Sequence, residues 1–405
     1  MINLITMDDF DFENKTVIIR VDFNSPLDSE TKIITDDTRI RRHAKTIKEL
    51  MDKGGKVVII AHQGRPGSHD FSTLQQHSIV LSKILGKSVR YVSDIFGEAA
   101  KSEIKNLKRG NALLIENVRM FLGEMKKLTA DEHAKSELVK NLAPLADVYV
   151  NDGFAVAHRA HASIVGFPTV LPNVVGRVLE RELKVLDKVK KAEDKPCIYV
   201  MGGAKADDAA AISDYVLGHG TADYVLTGGV IGQLFLFAQG VDIGDINVRF
   251  LEKKKFVQYI PKIKELFKKY NGKILLPEDF GIDVNGKRKD ITLGDLPTQY
   301  SMFDIGLKTV KKYTELLKTA KIIVLSGPMG VYERKEFILG TKRIFEVIAN
   351  SDVFSVVGGG NTLEAVKKLG LSEKISYIST GGGALMEFLT GKILPGVKAL
   401  EKQPL

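Results

Sequence analysis

The chain of 405 residues holds one cysteine, Cys197, and no tryptophan. A single thiol excludes any disulfide within the chain and any metal cluster built on several cysteines, and it fits a reducing compartment. No apolar run approaches the ~20 residues that a membrane-spanning helix needs. The amino terminus passes from Met1-Ile2-Asn3-Leu4-Ile5-Thr6 straight to Asp8, Asp9 and Asp11. No basic stretch precedes an apolar one there, so no secretory leader is expected. These absences predict a soluble, cytoplasmic protein with no membrane partner.

The common nucleotide signatures are missing as well. Gly86-Lys87-Ser88 has Leu81 where G-x-x-x-x-G-K-[ST] needs its first glycine, and Gly391-Lys392 is followed by Ile393. No G-x-G-x-x-G turn occurs, which counts against a nicotinamide-dependent oxidoreductase of doubly wound fold. The protein-kinase triplet H-R-D is absent, since His158-Arg159 leads to Ala160. His158-x-x-His161 has the spacing of a metal pair, but no third ligand is suggested nearby. A basic nucleic-acid-binding protein would interleave aromatics along a positive stripe. Aromatic residues total only 7% here, despite a net charge of +9. Much of that excess sits in pairs such as Lys190-Lys191, Lys268-Lys269 and Lys311-Lys312, the ordinary dress of a solvated helix face.

What is present is a recurring unit. Short, β-branched apolar runs are each followed by a polar or glycine-rich turn and then a helical pattern. In the first half the runs are Val17–Ile19, Val57–Ile60, Ala112–Ile115 and Val148–Val150. In the second they are Ile198–Val200, Tyr224–Leu226, Ile274–Leu276, Ile322–Leu325, Phe354–Val357 and Ile375–Ile378. Strands apolar at every position are buried on both faces, as in a parallel sheet covered by helices. The chain therefore reads as α/β, with two doubly wound parallel-sheet (Rossmann-like) domains joined by a helix. The expected division is 1–172, a connecting helix over 173–191 and a second domain over 192–390. The tail from 391 to 405 can pack on either domain by sequence physics alone.

In open α/β sheets ligands bind beyond the carboxyl ends of the strands. In the first half those positions carry Asp22 and Asn24; His62, Gln63 and Arg65; Asn117 and Arg119; and Asn151 and Asp152, then His158, Arg159 and His161. Arg39 opens a helix after Asp36-Asp37-Thr38. Arginine forks match carboxylate and phosphate oxygens, so this edge suits a small, multiply charged anion. In the second half the same positions carry Gly202-Gly203-Ala204-Lys205, Gly228-Gly229, Gly327-Pro328-Met329-Gly330, Gly358-Gly359-Gly360-Asn361-Thr362 and Gly381-Gly382-Gly383. Glycine admits a ligand close to the backbone, and helix starts offer free N–H groups to anions. Five such loops on one edge point to a nucleotide, with Lys205 their one cation. An anion site and a nucleotide site on lobes that can close together suit phosphoryl transfer.

These motifs, in this order, resemble the phosphoglycerate kinase family over nearly the whole chain. Arg20-Val21-Asp22-Phe23-Asn24, Asp36-Asp37-Thr38-Arg39-Ile40, His62-Gln63-Gly64-Arg65-Pro66, Glu116-Asn117-Val118-Arg119 and Asn151 through His161 resemble its substrate-domain motifs. Gly202 to Lys205, Gly327 to Glu333, Gly358 to Gly360 and Ser379 to Ala384 resemble its nucleotide-domain motifs. The resemblance implies a kinase of glycolysis and gluconeogenesis acting on 3-phosphoglycerate or 1,3-bisphosphoglycerate with ATP or ADP, and a tail, 391–405, that returns to the first domain. It implies substrate binding by Asp22, Phe23, Asn24, Arg39, His62, Gln63, Gly64, Arg65, Arg119 and Arg159, with Arg65, Arg119 and Arg159 on the phosphate. Arg39, Lys205 and Gly382 would be catalytic. Gly202, Gly203, Lys205, Gly228, Pro328, Glu333 and Gly358 to Thr362 (Gly359, Gly360 and Asn361 between them) would bind the nucleotide, Glu333 at the ribose.

Three positions depart from the commoner bacterial and eukaryotic pattern and give the chain an archaeal look. Asn361 stands where an aspartate usually helps hold magnesium, Ala209 replaces a second lysine, and Ser326 replaces the asparagine before Gly-Pro. No protein metal ligand is therefore expected, and Mg2+ would be held mainly by the nucleotide's oxygens and water. No nucleic-acid partner is expected. A monomer is the default, with a homodimer left open.

Overall fold

The computed structural model describes residues 4–401. The first residues of the predicted first domain, 1–3, and the last of the predicted tail, 402–405, lie outside the described residues. By internal packing the chain forms two units, one up to Lys184 together with the segment from Ile393 onward, the other from Val185 to Lys392.

The first unit is built on six strands: β1 (Thr16–Arg20), β2 (Lys56–Ile60), β3 (Val89–Tyr91), β4 (Ala112–Leu114), β5 (Val148–Asn151) and β6 (Asn173–Val175). They form one parallel sheet in the order β3-β4-β2-β1-β5-β6. β1, β2 and β5 are buried almost throughout, as their unbroken apolar runs require. The helix Thr38–Asp52 lays Ile40, Ala44, Ile47, Leu50 and Met51 on the sheet, where they share a core with Val17, Ile19, Val57 and Ile59. Asp37 stands at its N-cap position without a capping bond. Its carboxylate instead accepts two hydrogen bonds from Arg41, one turn on, each of 2.8 Å. The strand order reverses between β1 and its neighbours β2 and β5, which opens a crevice at their carboxyl ends.

The second unit contains β7 (Cys197–Met201), β8 (Tyr224–Thr227), β9 (Ile274–Leu275), β10 (Asp279–Val284), β11 (Lys287–Thr292), β12 (Met302–Ile305), β13 (Ile322–Ser326), β14 (Phe354–Gly358) and β15 (Tyr377–Ile378). Six of these form a parallel sheet, β15-β14-β13-β7-β8-β9, and β11-β10-β12 form a separate antiparallel one. The core gathers Ile198, Val200, Leu226, Ile323, Leu325 and Val357 from the sheet with Tyr313, Ile344, Phe345 and Ile348 from helices. Cys197 is fully buried, and burial pushes its thiol up to about 12, so it is inert at neutral pH.

One expectation needs correction, and one sheet carries no signal in the sequence. The connecting helix does not begin at 173: Asn173–Val175 pair in parallel with Tyr149–Asn151 as an edge strand, and the helix runs Arg177–Lys191. Val174 and Val175 are β-branched and Gly176 interrupts any continuous helix, so the edge of a waiting sheet wins. The antiparallel sheet was not foreseen, because β11 reads Lys-Arg-Lys-Asp-Ile-Thr and buries only Ile291.

The carboxyl-terminal segment packs within the first unit. Gly396 N–H donates to the Ala157 carbonyl at 2.7 Å, and Leu394, Val397 and Leu400 are buried. Among the described residues no helix is long and apolar enough to cross a membrane.

Candidate active site

In the first unit the polar residues that follow β1, β2, β4 and β5 converge. Arg20 ends β1 fully buried, and Asp22, two residues on, is 2% exposed. The Asp22 carboxylate accepts from Arg39 on the first turn of the helix Thr38–Asp52. His43, further along that helix, faces two partners. The Asp22 N–H approaches its Nε2 at 3.2 Å, so Nε2 accepts and Nδ1 carries the proton toward Asp152 Oδ2 at 2.6 Å. Asp152 Oδ1 in turn accepts the Val178 N–H at 2.8 Å, at the start of the connecting helix.

Around this scaffold stands a guanidinium cluster. Arg20, Arg119, Arg159 and Arg39 all act on the buried His62 and, with burial as the larger cause, hold its imidazole neutral well below its usual range. Arg119 is 4% exposed and donates to the Gly64 carbonyl. Its Nε is buried with no hydrogen-bond partner among the described residues. Burial first, then Arg159 and Arg20, lower its pKa to about 10. Arg159 is pushed down by burial and by Arg65. The cluster leaves an excess of positive charge that an anion would offset. Arg65 is exposed, at the tip of the loop after β2.

Some predicted ligands have other work. Gln63 is fully buried. Its Oε1 accepts from Ser25 N–H and faces His77, and its Nε2 donates to the Ser25 and Asp70 carbonyls. Phe23 is equally buried and stacks on His77 with ring centroids 6.4 Å apart. Both side chains hold the loops together, which leaves only their backbone for a ligand. Asn24 Oδ1 accepts the Gly64 N–H at 2.7 Å and ties the loops after β1 and β2 together. Glu124 and Ser163 were missed. Both are fully buried beside Arg20, and nothing in the local sequence separates them from surface residues.

In the second unit Gly202, Gly203, Lys205, Pro328, Gly359, Gly360, Asn361 and Thr362 line one pocket. Two loops meet there backbone to backbone: a Cβ on Gly202 would lie 2.2 Å from the Pro328 carbonyl oxygen, and one on Gly327 (φ +91°) 2.1 Å from that of Gly202. Thr362 Oγ1 accepts the Gly327 N–H at 2.7 Å, stitching a third loop to the second. Lys205 precedes the helix Ala206–Gly218 and pairs loosely with Asp208 at 3.8 Å. Asp208 shares the pocket wall; burial and Asp207 push its carboxyl up. Sequence reading passed over it, although it lies three residues after Lys205 and so faces the same way. Ser326 is on the wall too, and Ala209 is buried in the helix.

Gly228, Glu333, Gly358 and Gly382 do not line this pocket. Gly228 packs against Met329 of the neighbouring loop, where a Cβ would meet the sulfur at 2.6 Å. Gly358 ends β14, Glu333 is exposed beyond the Gly327–Gly330 turn, and Gly382 (φ +42°) caps the helix Gly383–Leu389. Gly202→Ala is expected to force the two loops apart and lower the melting of the second unit, leaving that of the first unchanged; a thermal scan followed by hydrogen exchange of each unit checks both.

The family model for phosphoglycerate kinase matches residues 7–392. The chain belongs to the phosphoglycerate kinase family. It is 46% identical to the phosphoglycerate kinase of Methanothermus fervidus over 402 residues, 99% of this chain and 98% of the relative. It is 44% identical to that of Thermococcus kodakarensis over 397 residues, 97% of this chain and 96% of the relative. The crystal structure of phosphoglycerate kinase from Pyrococcus horikoshii superposes with a TM-score of 0.90 at 42% identity, covering 98% of each chain. The structure of phosphoglycerate kinase from Coxiella burnetii gives 0.84 at 32% identity, covering 98% of this chain and 99% of the other. Likeness to archaeal family members agrees with the departures at Asn361, Ala209 and Ser326. Neither a nicotinamide-dependent enzyme nor a nucleic-acid-binding protein finds support in these relatives.

Proposed function

We propose that this protein transfers a phosphoryl group reversibly between ATP and the carboxylate of 3-phosphoglycerate, giving ADP and 1,3-bisphosphoglycerate. The first unit's arginines hold the acid and the second unit's glycine loops hold the nucleotide. The observation that carries this reading is the gathering of Arg20, Arg119, Arg159 and Arg39 about the buried His62 at the strand ends of the first unit, with Arg119 itself buried. A multiply charged anion would offset the charge that Asp22 and Glu124 leave over.

The acceptor needs no general base, because a carboxylic acid with a pKa of about 4 is already ionised at neutral pH. A carboxylate oxygen attacks the γ-phosphorus as the bond to the β-phosphate oxygen breaks, and ADP leaves with those electrons. The protein's work is positioning and neutralising charge. Arg65, Arg119 and Arg159 grip the acid's phosphate, Arg39 orients its carboxylate, and Asp22 orients Arg39. Lys205 meets the transferring phosphoryl group, Gly202, Gly203 and Gly359 to Thr362 cradle the nucleotide phosphates, and Glu333 takes the ribose. Gly382, at a helix start, offers backbone N–H groups to the charge that builds in transit.

Mg2+ accompanies the nucleotide in this reading. Among the described residues no group of three or more His, Cys, Asp or Glu is arranged to hold a metal. The pocket wall offers one carboxylate, Asp208, and one side-chain amide, Asn361. That donor set fits an ion bound mainly by phosphate oxygens and water, whose charge would offset theirs.

ATP-dependent formation of 1,3-bisphosphoglycerate, followed in a coupled assay, tests the proposal; purified protein that gives no product from ATP and 3-phosphoglycerate overturns it. Arg65→Ala is expected to weaken 3-phosphoglycerate binding by about tenfold or more, the worth of a charge-assisted contact, with ADP binding unchanged. Titration of both ligands reads this, and an equal loss for ADP would contradict the assignment.

A further inference from the structure

Arg20 is 1% exposed, and each of its three guanidinium nitrogens has a partner. Its Nη1 donates to the Val21 carbonyl. Its Nε donates to Ser163 Oγ at 2.8 Å, and its Nη2 stands 3.2 Å from His62 Nδ1. A guanidinium has donors only, so His62 Nδ1 must accept, and the imidazole proton sits on Nε2. Ser163 Oγ already accepts from Arg20, so its own proton goes to Glu124 Oε1 at 2.6 Å. Ser163 N–H donates to Glu124 Oε2 at 2.9 Å. Glu124 is 0% exposed, and both of its oxygens are thereby fixed.

We propose that Glu124 is a positioning residue that acts through Ser163 and Arg20 to fix His62 as its Nε2–H tautomer. Glu124 sets the direction of the serine hydroxyl, and Arg20, which can only donate, sets the direction at His62. An ionised Glu124 can only accept, so it turns the serine hydroxyl inward. The serine lone pair then holds the Arg20 fork in the plane that meets His62. No hydrogen bond engages His62 Nε2 among the described residues, so that N–H remains available as a donor. A donor suits an anionic substrate oxygen, whereas the other tautomer would offer it a lone pair. This rests on the functional reading above, in which His62 faces the acid.

Long-range ¹H–¹⁵N correlation spectra of the full chain read the tautomer directly, with the His62 signals identified by their loss in a His62→Gln variant. The wild type is expected to show an unprotonated Nδ1 and a protonated Nε2. Ser163→Ala and Glu124→Gln are expected to move His62 toward the Nδ1–H form. Both should raise the KM for 3-phosphoglycerate about tenfold, with kcat and the KM for ATP within about twofold. If Glu124→Gln does not fold, Ser163→Ala reads the same quantities alone. A proton on Nδ1 in the wild type, or a tautomer unchanged in Ser163→Ala, overturns the relay. The expected tautomer and shift in a protein that does not turn over 3-phosphoglycerate would uphold the relay and overturn the function instead.

Discussion

Lys205→Ala is expected to lower turnover by a factor of about 10²–10³ while leaving the KM values for both substrates within a few-fold. Lys205 is the one cationic side chain among the residues lining that pocket, so no other side chain on that wall can neutralise a charge that moves. Its side chain is 62% exposed and its ion pair to Asp208 is long at 3.8 Å. Such a pair contributes little to stability, so the variant should melt with the wild type. An interaction made mainly in the transition state lowers kcat and spares ground-state binding. Turnover near wild type at saturating substrates would remove Lys205 from the chemistry.

Acid is expected to unfold the first unit before the second. Of the eight histidines, all but His219 lie in the first unit. Burial drives His77 down to about 4, and burial with neighbouring arginines drives His158 to about 4 and His161 to about 3. His62 is held lower than usual by the same causes. In the unfolded chain these rings take up protons near pH 6.5, while in the folded unit they stay neutral. Between about pH 6.5 and 4 the unfolded state thus binds more protons, and stability rises with pH. It is fully present above about 6.5 and is lost as pH falls, with each ring contributing up to about 1.4 kcal/mol per pH unit. Several rings acting together make a substantial loss against the marginal stability of a domain. Hydrogen exchange read by mass spectrometry near pH 4.5 should show peptides of the first unit opening first. Opening that begins in the second unit would contradict this.

Much of this was legible in the sequence where burial is two-sided. Val57–Ile60 and Ile322–Leu325 carry no polar alternation, and both lie inside covered parallel sheets. The residues after those strands were legible for the same reason, since strand ends dictate where chemistry can stand. The rest depends on neighbours that a sequence does not name. Asn173–Val175 is a strand because Tyr149–Asn151 offers it an edge. Gln63 looks like a ligand beside Arg65, but Ser25, Asp70 and His77 claim its amide. Glu124, ahead of Met125-Lys126-Lys127, reads as a solvated charge until Ser163 arrives from 39 residues away.

A crystal structure with 3-phosphoglycerate and ADP bound together tests the division of labour most directly. The acid's phosphate is expected against Arg65, Arg119 and Arg159, and the ADP phosphates against the Gly202–Lys205 and Gly360–Thr362 backbones. Finding both ligands on one unit, or the guanidiniums around His62 without an anion at saturating acid, would contradict it.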